Sequence, residues 1–438
     1  MNAAEAANAP HPPVQKREIF GWAMFDFANS SYTTVVITAV YAGFFTEHVV
    51  PAGSTARDSY WSLAIVLSTL IALSLSPLVG AICDKSGRKK VYLLGTTVAC
   101  SIATAGLALV GPGDLAAGVA LVAVSNAAFM LSESFCASFL PELATEENMG
   151  KVSGLGWGFG YFGGLASLLL VLAIVGREGV DQVPRTQKAM LVTAAFFFAA
   201  SLPTLALVRE RSRPAPGFER APLARLVRAG LGELRQTTAL ARQHGVLFRF
   251  LLAFMVYMAG LEAVIKFVGI YAHAELHFGI SDISVLFLII QLSAAAGAVA
   301  FGFVEARLGA KTTVLATLGL WFVAVMAIYG LDPLAAALGV GQKPLFFAIA
   351  LLAGTGIGAT QSSSRTVVGL LAPPGRSAQT FGFWGMFSRL GTVLGMSFGF
   401  AADMLHSRRA ALLLVASFFV VGAAMLWPIP IDRARRPA

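Results

Sequence analysis

Apolar stretches of roughly 18 to 25 residues recur from one end of the 438-residue chain to the other, and nothing else constrains its fold so strongly. A helix of that length crosses the hydrocarbon core of a bilayer. In lipid a backbone must satisfy its own hydrogen bonds, so such runs become helices. The alternating ten-residue strands of a membrane barrel are absent. Spans are expected near 20–46, 60–82, 90–111, 115–140, 152–176, 188–208, 248–272, 283–304, 312–331, 345–371, 379–402 and 409–430. Composition agrees: 57% of residues are hydrophobic and 13% charged, against about a quarter charged in soluble domains. The expected class is all-α transmembrane, with twelve helices in two six-helix halves.

Lysine and arginine give the orientation. With the N-terminus inside, 22 of the 32 fall in cytoplasmic segments, seven in outer loops, and three within spans. The positive-inside rule therefore predicts both termini in the cytoplasm. The net charge of +9 is read as cytoplasmic loops meeting anionic headgroups rather than nucleic acid. The N-terminal tail has no apolar signal-peptide core, so the first span is expected to direct insertion itself. Cys83, Cys100 and Cys136 sit in or beside apolar runs and form neither a disulfide framework nor a zinc pattern. The expected parts are a tail over 1–19, a first half over 20–208, a basic linker over 209–247, a second half over 248–430 and a tail over 431–438. Within the linker, Leu223, Leu226, Val227, Leu231 and Leu234 recur at helical spacing, with Arg225, Arg228 and Arg235 between them. That pattern predicts a helix on the inner membrane surface.

The chain repeats itself. Gly80-Ala81-Ile82-Cys83-Asp84-Lys85-Ser86-Gly87-Arg88-Lys89-Lys90 follows span two, and Gly302-Phe303-Val304-Glu305-Ala306-Arg307-Leu308-Gly309-Ala310-Lys311 follows span eight, 222 residues later. Gly80 lets a neighbouring helix approach, Gly87 permits a tight turn, and Asp84 can receive a helix N-terminus or pair with a base. In the second copy Ala306 stands at the aspartate position. The first copy resembles the loop signature of the major facilitator superfamily. Three further segments are similar to its vacuole-effluxer-like, autophagy-related permease branch: Gly21 to Tyr32 with Asp26 and Asn29, Lys151 to Gly164, and Gln361 to Arg365 with Pro373 to Arg376. The resemblance implies a secondary carrier; its eukaryotic members are associated with amino-acid efflux from the vacuole. The branch's Asn-Asp pair after a tyrosine in span seven is replaced here by Tyr257-Met258-Ala259-Gly260, with Glu262 and Lys266 in the next turns.

Six ionisable residues fall well inside spans: Asp26, Glu133, Glu262, Lys266, Arg365 and Arg389. Each costs at least about 2.5–3.5 kcal/mol at the bilayer centre, so pairing or function is expected. The resemblance places spans one, four, seven and ten around a central cavity. Glu133 and Arg365 each lie eight residues before a span-ending proline, Pro141 and Pro373, which sets both roughly 10 Å from the cytoplasmic face at 1.5 Å per residue. Asp26 is at similar depth, and a cytoplasmic gate of Arg365 with Asp26 or Glu133 follows as an expectation. Glu262 and Lys266 lie deeper and, four apart, can pair within their helix. Arg389 is read as structural, held by backbone carbonyls or Asp84, or as a coupling residue. Trp157, Tyr161 and Tyr257 are candidate cavity aromatics, and Gly156, Gly160 and Gly164 close-packing sites. The substrate or proton pathway is assigned to Asp26, Asn29, Glu133, Glu262, Lys266, Gln361 and Arg365, and gating to Gly80, Asp84, Lys85, Gly87, Arg88 and Lys89.

The reading is a secondary transporter of a small polar solute, an amino acid being one candidate, with protons as a candidate coupling ion because Asp26, Glu133 and Glu262 can titrate. A nucleotide-binding loop is absent, which disfavours an ATP-driven pump. A non-transporting receptor or scaffold on the same fold stays open as the alternative. A membrane enzyme ranks below both, since no catalytic or metal-binding set stands out. No cofactor, metal or nucleic-acid partner is expected; the partners are a small molecule and the lipid bilayer. The chain is expected as a monomer in a bacterial plasma (inner) membrane.

Overall fold

The computed structural model describes residues 13–51, 54, 57–175, 182–218, 221–235 and 244–431. The expected terminal tails lie largely outside these residues, as do Arg177, Arg220, Arg242, Arg433, Arg435 and Arg436 among the basic positions. The described chain is helical almost throughout: α1 (Lys16–Tyr32), α2 (Arg57–Ser86), α3 (Lys89–Gly106), α4 (Leu115–Ala137), α5 (Met149–Val175) and α6 (Gln182–Leu207) form a first half. The linker helix α7 (Leu223–Arg235) follows, then α8 (Gly245–Leu276), α9 (Ile280–Leu308), α10 (Ala310–Tyr329), α11 (Gln342–Leu371), α12 (Ser377–Gly395) and α13 (Arg408–Leu426). Each half has its own buried apolar cluster.

Ten described helices are long and apolar enough to cross a membrane by length and composition. The first and eleventh expected spans complete a count consistent with twelve, but neither is one uniform helix. After α1 the chain widens into π-helical turns over Thr33–Ala39 and Phe45–Val49, around a distorted Val40. The run Thr33-Thr34-Val35-Val36-Ile37-Thr38 explains the local weakness, because β-branched side chains lose rotamer freedom in an α-helix. The eleventh span breaks at Met396 and resumes as Ser397–Met404.

Glycines let these helices touch. Gly163 lies on the Phe27 backbone, and Gly21 meets Leu207 and Pro203, so α1 sits against both α5 and α6. Two interfaces join the halves: α2 packs on α12, and α5 packs on α9 and α11.

The linker is docked on the first half. Arg211 forks onto Glu18 at 2.7 and 3.1 Å, and Ser212 donates to Glu142 at 2.7 Å. Ala215 N–H donates to the Lys85 carbonyl at 3.0 Å. The Phe218 ring has Lys85 over it at 5.7 Å and Arg225 at 5.1 Å. The amphipathic helix foreseen in the linker forms as α7, but one face rests on protein: Leu226 is buried and Gly230 packs on Leu78 and Ile82 of α2, while Leu231 stays exposed.

Candidate functional site

A cavity of about 750 Å³ lies between the halves. Its walls come from α1, α4 and α5 on one side and from α8 to α12 on the other, more helices than the four expected. From the level of Asp26 and Glu133 it reaches away from the linker end, toward Thr38, Ile328 and Phe346. The π-helical turns put Thr33, Thr34 and Thr38 on its wall; such turns recur at functional sites.

Among the described residues, two ion pairs cross between the halves. Arg365 of α11 donates to Asp26 Oδ2 of α1 at 2.7 Å. Arg389 of α12 donates to Glu133 Oε2 of α4 at 2.8 Å. Of the two partners considered for Arg365, the structure thus brings it to Asp26. Among the described residues, the Arg389 side chain bonds a carboxylate on the cavity wall in place of the backbone carbonyls or Asp84.

The two pairs differ in environment. The Arg365 side chain is 3% exposed and is absent from the cavity wall. Its Nε donates to Ser153 Oγ at 3.1 Å and its Nη2 to the Ser153 carbonyl at 2.7 Å. The guanidinium lies 4.6 Å from the Trp22 ring and 5.4 Å from Trp157, where desolvation strengthens a cation–π contact to about 2 kcal/mol. Gly156 makes room for this cluster, since a Cβ there would strike Asp26, Arg365 and Trp22 together. Glu133 and Arg389, in contrast, both line the cavity and are 21% and 18% exposed.

Glu262 and Lys266 form the intrahelical pair at 3.4 Å, with Glu262 on the cavity wall. Asn29, Gln361, Trp157 and Tyr161 also line the cavity, and Tyr161 donates to Gln361 at 2.7 Å across the halves. Tyr257 is fully buried and bonds Ser364 at 2.7 Å, away from the lining. Among the described residues, three buried polar atoms of the lining have no hydrogen-bond partner: Asn29 Oδ1, Trp157 Nε1 and Trp384 Nε1. Trp384 and Trp22 carried no signal in the sequence, because an isolated indole in an apolar span reads as packing.

The loop signature closes the linker end. Asp84 accepts from Ala378 N–H at 3.0 Å and Gln379 N–H at 2.7 Å, so its carboxylate holds the N-terminus of α12. Lys89 is buried; it reaches Glu142, the Ser138 carbonyl at 2.9 Å and Ser377 Oγ at 2.6 Å. Gly87 has φ +64° and faces the backbone of Arg213. Lys85 and Arg88 lie in the same loop, Lys85 under the linker and Arg88 exposed. At this end burial pushes the Glu18 carboxyl up, but the Arg211 guanidinium and the N–H groups of Gln15 and Arg209 outweigh it and hold it below its ordinary value.

Two helical halves, a cavity between them and a charged seam at one end define an integral, multi-pass membrane transporter of the major facilitator type. Residues 48–438 match the family described as "Vacuole effluxer Atg22 like", and the chain belongs to that family. It is 26% identical to the uncharacterized MFS-type transporter YxiO of Bacillus subtilis, over 93% of this chain and 94% of that one. It is 21% identical to autophagy-related protein 22-1 of Sclerotinia sclerotiorum over 66% of this chain, and spans about half (51%) of that relative's length. The fold is that of the human organic anion transporter MFSD10 (TETRAN), with a TM-score of 0.74 at 16% identity, covering 95% of this chain and 100% of that one.

Proposed function

We propose that the chain moves a small polar solute across a bacterial inner membrane by alternating access, with both termini and the linker in the cytoplasm. The observation that carries this reading is the cavity floor, where acids of the first half meet bases of the second in two pairs. A solute bound there touches both halves and so can bias their relative position, which is what alternating access requires. Arg365 is the latch, sequestered behind the wall. Glu133 and Arg389 are the groups a solute meets, and their opposite charges suit a ligand carrying both an anionic and a cationic group, such as an amino acid. The apolar parts of the wall, among them Leu165, Leu168, Val264 and Ile357, suit a small aliphatic or aromatic body.

Asp26, Glu133 and Glu262 are the carboxylates on the cavity wall through which proton coupling would run. The cavity reaches away from the linker end, which supports an outward-facing state. The orientation is supported by the 22-to-7 distribution of lysine and arginine.

The test is a thermal-shift screen of small metabolites on the purified protein, followed by flux into proteoliposomes with and without a pH gradient. A stabilising solute should also be transported, faster with the gradient. Stabilisation without flux would favour a receptor on this fold.

A further inference from the structure

The outward face of α2 changes partner along its length. Leu63, Val66, Leu67, Leu70, Ile71 and Leu75 recur at spacings of three and four and are all exposed, an apolar stripe of the kind that lipid covers. Its next members toward the linker end are Leu78 and Ile82, the latter one turn short of the end of α2 at Ser86. There the cover is protein: a Cβ on Gly230 of α7 would lie 2.9 Å from Ile82 and 3.2 Å from Leu78. The linker helix therefore lies on the lipid-facing side of α2, at the edge of the bilayer.

The apolar surface of α7 extends beyond what α2 covers. Leu226 and Gly230 are buried, but Leu231 is exposed. At about 100° per residue Leu231 sits roughly 140° around the helix from Leu226, too far round to share the α2 contact. Arg228 comes next around the helix and then Arg225, both exposed. A path around α7 thus meets protein, then an apolar strip, then two guanidiniums. A helix at a bilayer boundary has this order, with the apolar strip against acyl chains and the cations beside it at headgroup depth. The linker does not balance its own charge. Residues 209–249 hold nine arginines and three glutamates, and one of the three, Glu210, is taken by the N–H groups of Lys89 and Lys90.

We propose that the face of α7 carrying Leu231, Arg228 and Arg225 is a docking surface for anionic phospholipid in the leaflet at the linker end, with the guanidiniums taking the headgroup phosphate. Arginine suits this task, because its planar fork donates two N–H groups to one phosphate. A zwitterionic headgroup offers the same phosphate but brings its own cation, so the surface selects lipid of net negative charge. It is separate from the solute cavity, and its test needs no solute.

The experiment is fluorescence quenching in full-length protein, reconstituted into mixed bilayers of phosphatidylglycerol and phosphatidylcholine with a nitroxide on the acyl chains of one lipid or the other. A bimane label at Leu231→Cys reads the lipid beside α7, and one at Leu70→Cys reads the stripe of α2 nearer mid-membrane. The native Cys83, Cys100 and Cys136 are buried and stay unlabelled. Nitroxide-bearing phosphatidylglycerol should quench position 231 well beyond its share of the bilayer, and position 70 in proportion to that share. Arg225→Gln and Arg228→Gln should each lower the preference for phosphatidylglycerol at position 231 roughly five-fold. Arg225 also lies over Phe218, so Arg228→Gln, which leaves that contact in place, is the deciding variant. Equal quenching of position 231 by both lipids, a preference that Arg228→Gln leaves unmoved, or a label at 231 that neither lipid quenches would each overturn the proposal.

Discussion

Arg365 and Asp26, 339 positions apart in the chain, meet at 2.7 Å between the two halves, and the guanidinium is closed off by Trp22, Trp157 and Ser153. Desolvation of such a pair can cancel its Coulomb gain, so its net contribution to stability is small, while a lone member left behind is expensive. Its effect on the balance between conformations is then larger than its effect on folding.

Arg365→Ala alone should lower stability by about 3–5 kcal/mol, since Asp26 would be left uncompensated. Adding Asp26→Ala should recover part of that loss. A double-mutant cycle by thermal unfolding and by spin-label distances across the linker end measures the coupling. The same cycle between Arg365 and Glu133 should be close to additive, because Glu133 is bonded to Arg389.

Arg389→Ala should abolish solute-dependent thermal stabilisation while costing less folding stability than Arg365→Ala, because the Arg389–Glu133 pair is partly open to the cavity. Glu133→Gln should weaken solute binding in the same assay. Undiminished stabilisation by solute in Arg389→Ala would remove this pair from the binding site.

Asp84→Asn should impair flux with little loss of folded protein. Its carboxylate bonds two N–H groups at the start of α12, an interaction worth about 0.3–1 kcal/mol, up to about 2 when partly buried. Flux at the wild-type rate in proteoliposomes would exclude a role for this contact in the cycle.

Acid should loosen the docked linker through Glu18. Its carboxyl is held below the ordinary value of 4.5 in the folded protein, so the Glu18–Arg211 contact stabilises above that pH. The contribution is lost as pH falls through the lowered folded value. Melting temperature followed from pH 7 into this acid range should fall more steeply in wild type than in Glu18→Gln. Parallel curves would show that the contact does not contribute to the acid response.

Orientation is checked by cysteine substitution at positions 54 and 217 with a membrane-impermeant reagent applied from outside. Ser54→Cys should react and Gly217→Cys should not. Strong labelling at 217 would reverse the proposed topology.

Much of the fold was legible because lipid simplifies the code. A segment rich enough in Leu, Val, Ala and Phe to cross a bilayer has few alternatives to a helix, so ten of the expected spans coincide closely with helices long and apolar enough to cross one. The distortions at Val40 and Met396 were less legible, since π-turns and breaks depend on neighbouring helices as well as on local propensity. The charged residues of the seam were legible as a set, because an ionisable group is rare in an apolar run. Their pairing was not: Arg365 had two candidate acids, Asp26 and Glu133, and Arg389 meets Glu133 where backbone carbonyls or Asp84 were the expected partners.

By itself the sequence determined the helical membrane class, the twofold repeat, the loop signature and the inventory of intramembrane charges, all of which follow from local composition and spacing. Tertiary structure alone decided which acid meets which base, which pair faces the cavity, and how the linker rests on the signature loop. The physical reason is range. Burial in lipid is decided segment by segment, but a salt bridge needs its partners within about 4 Å, and only the packing of two halves brings residues hundreds of positions apart to that distance.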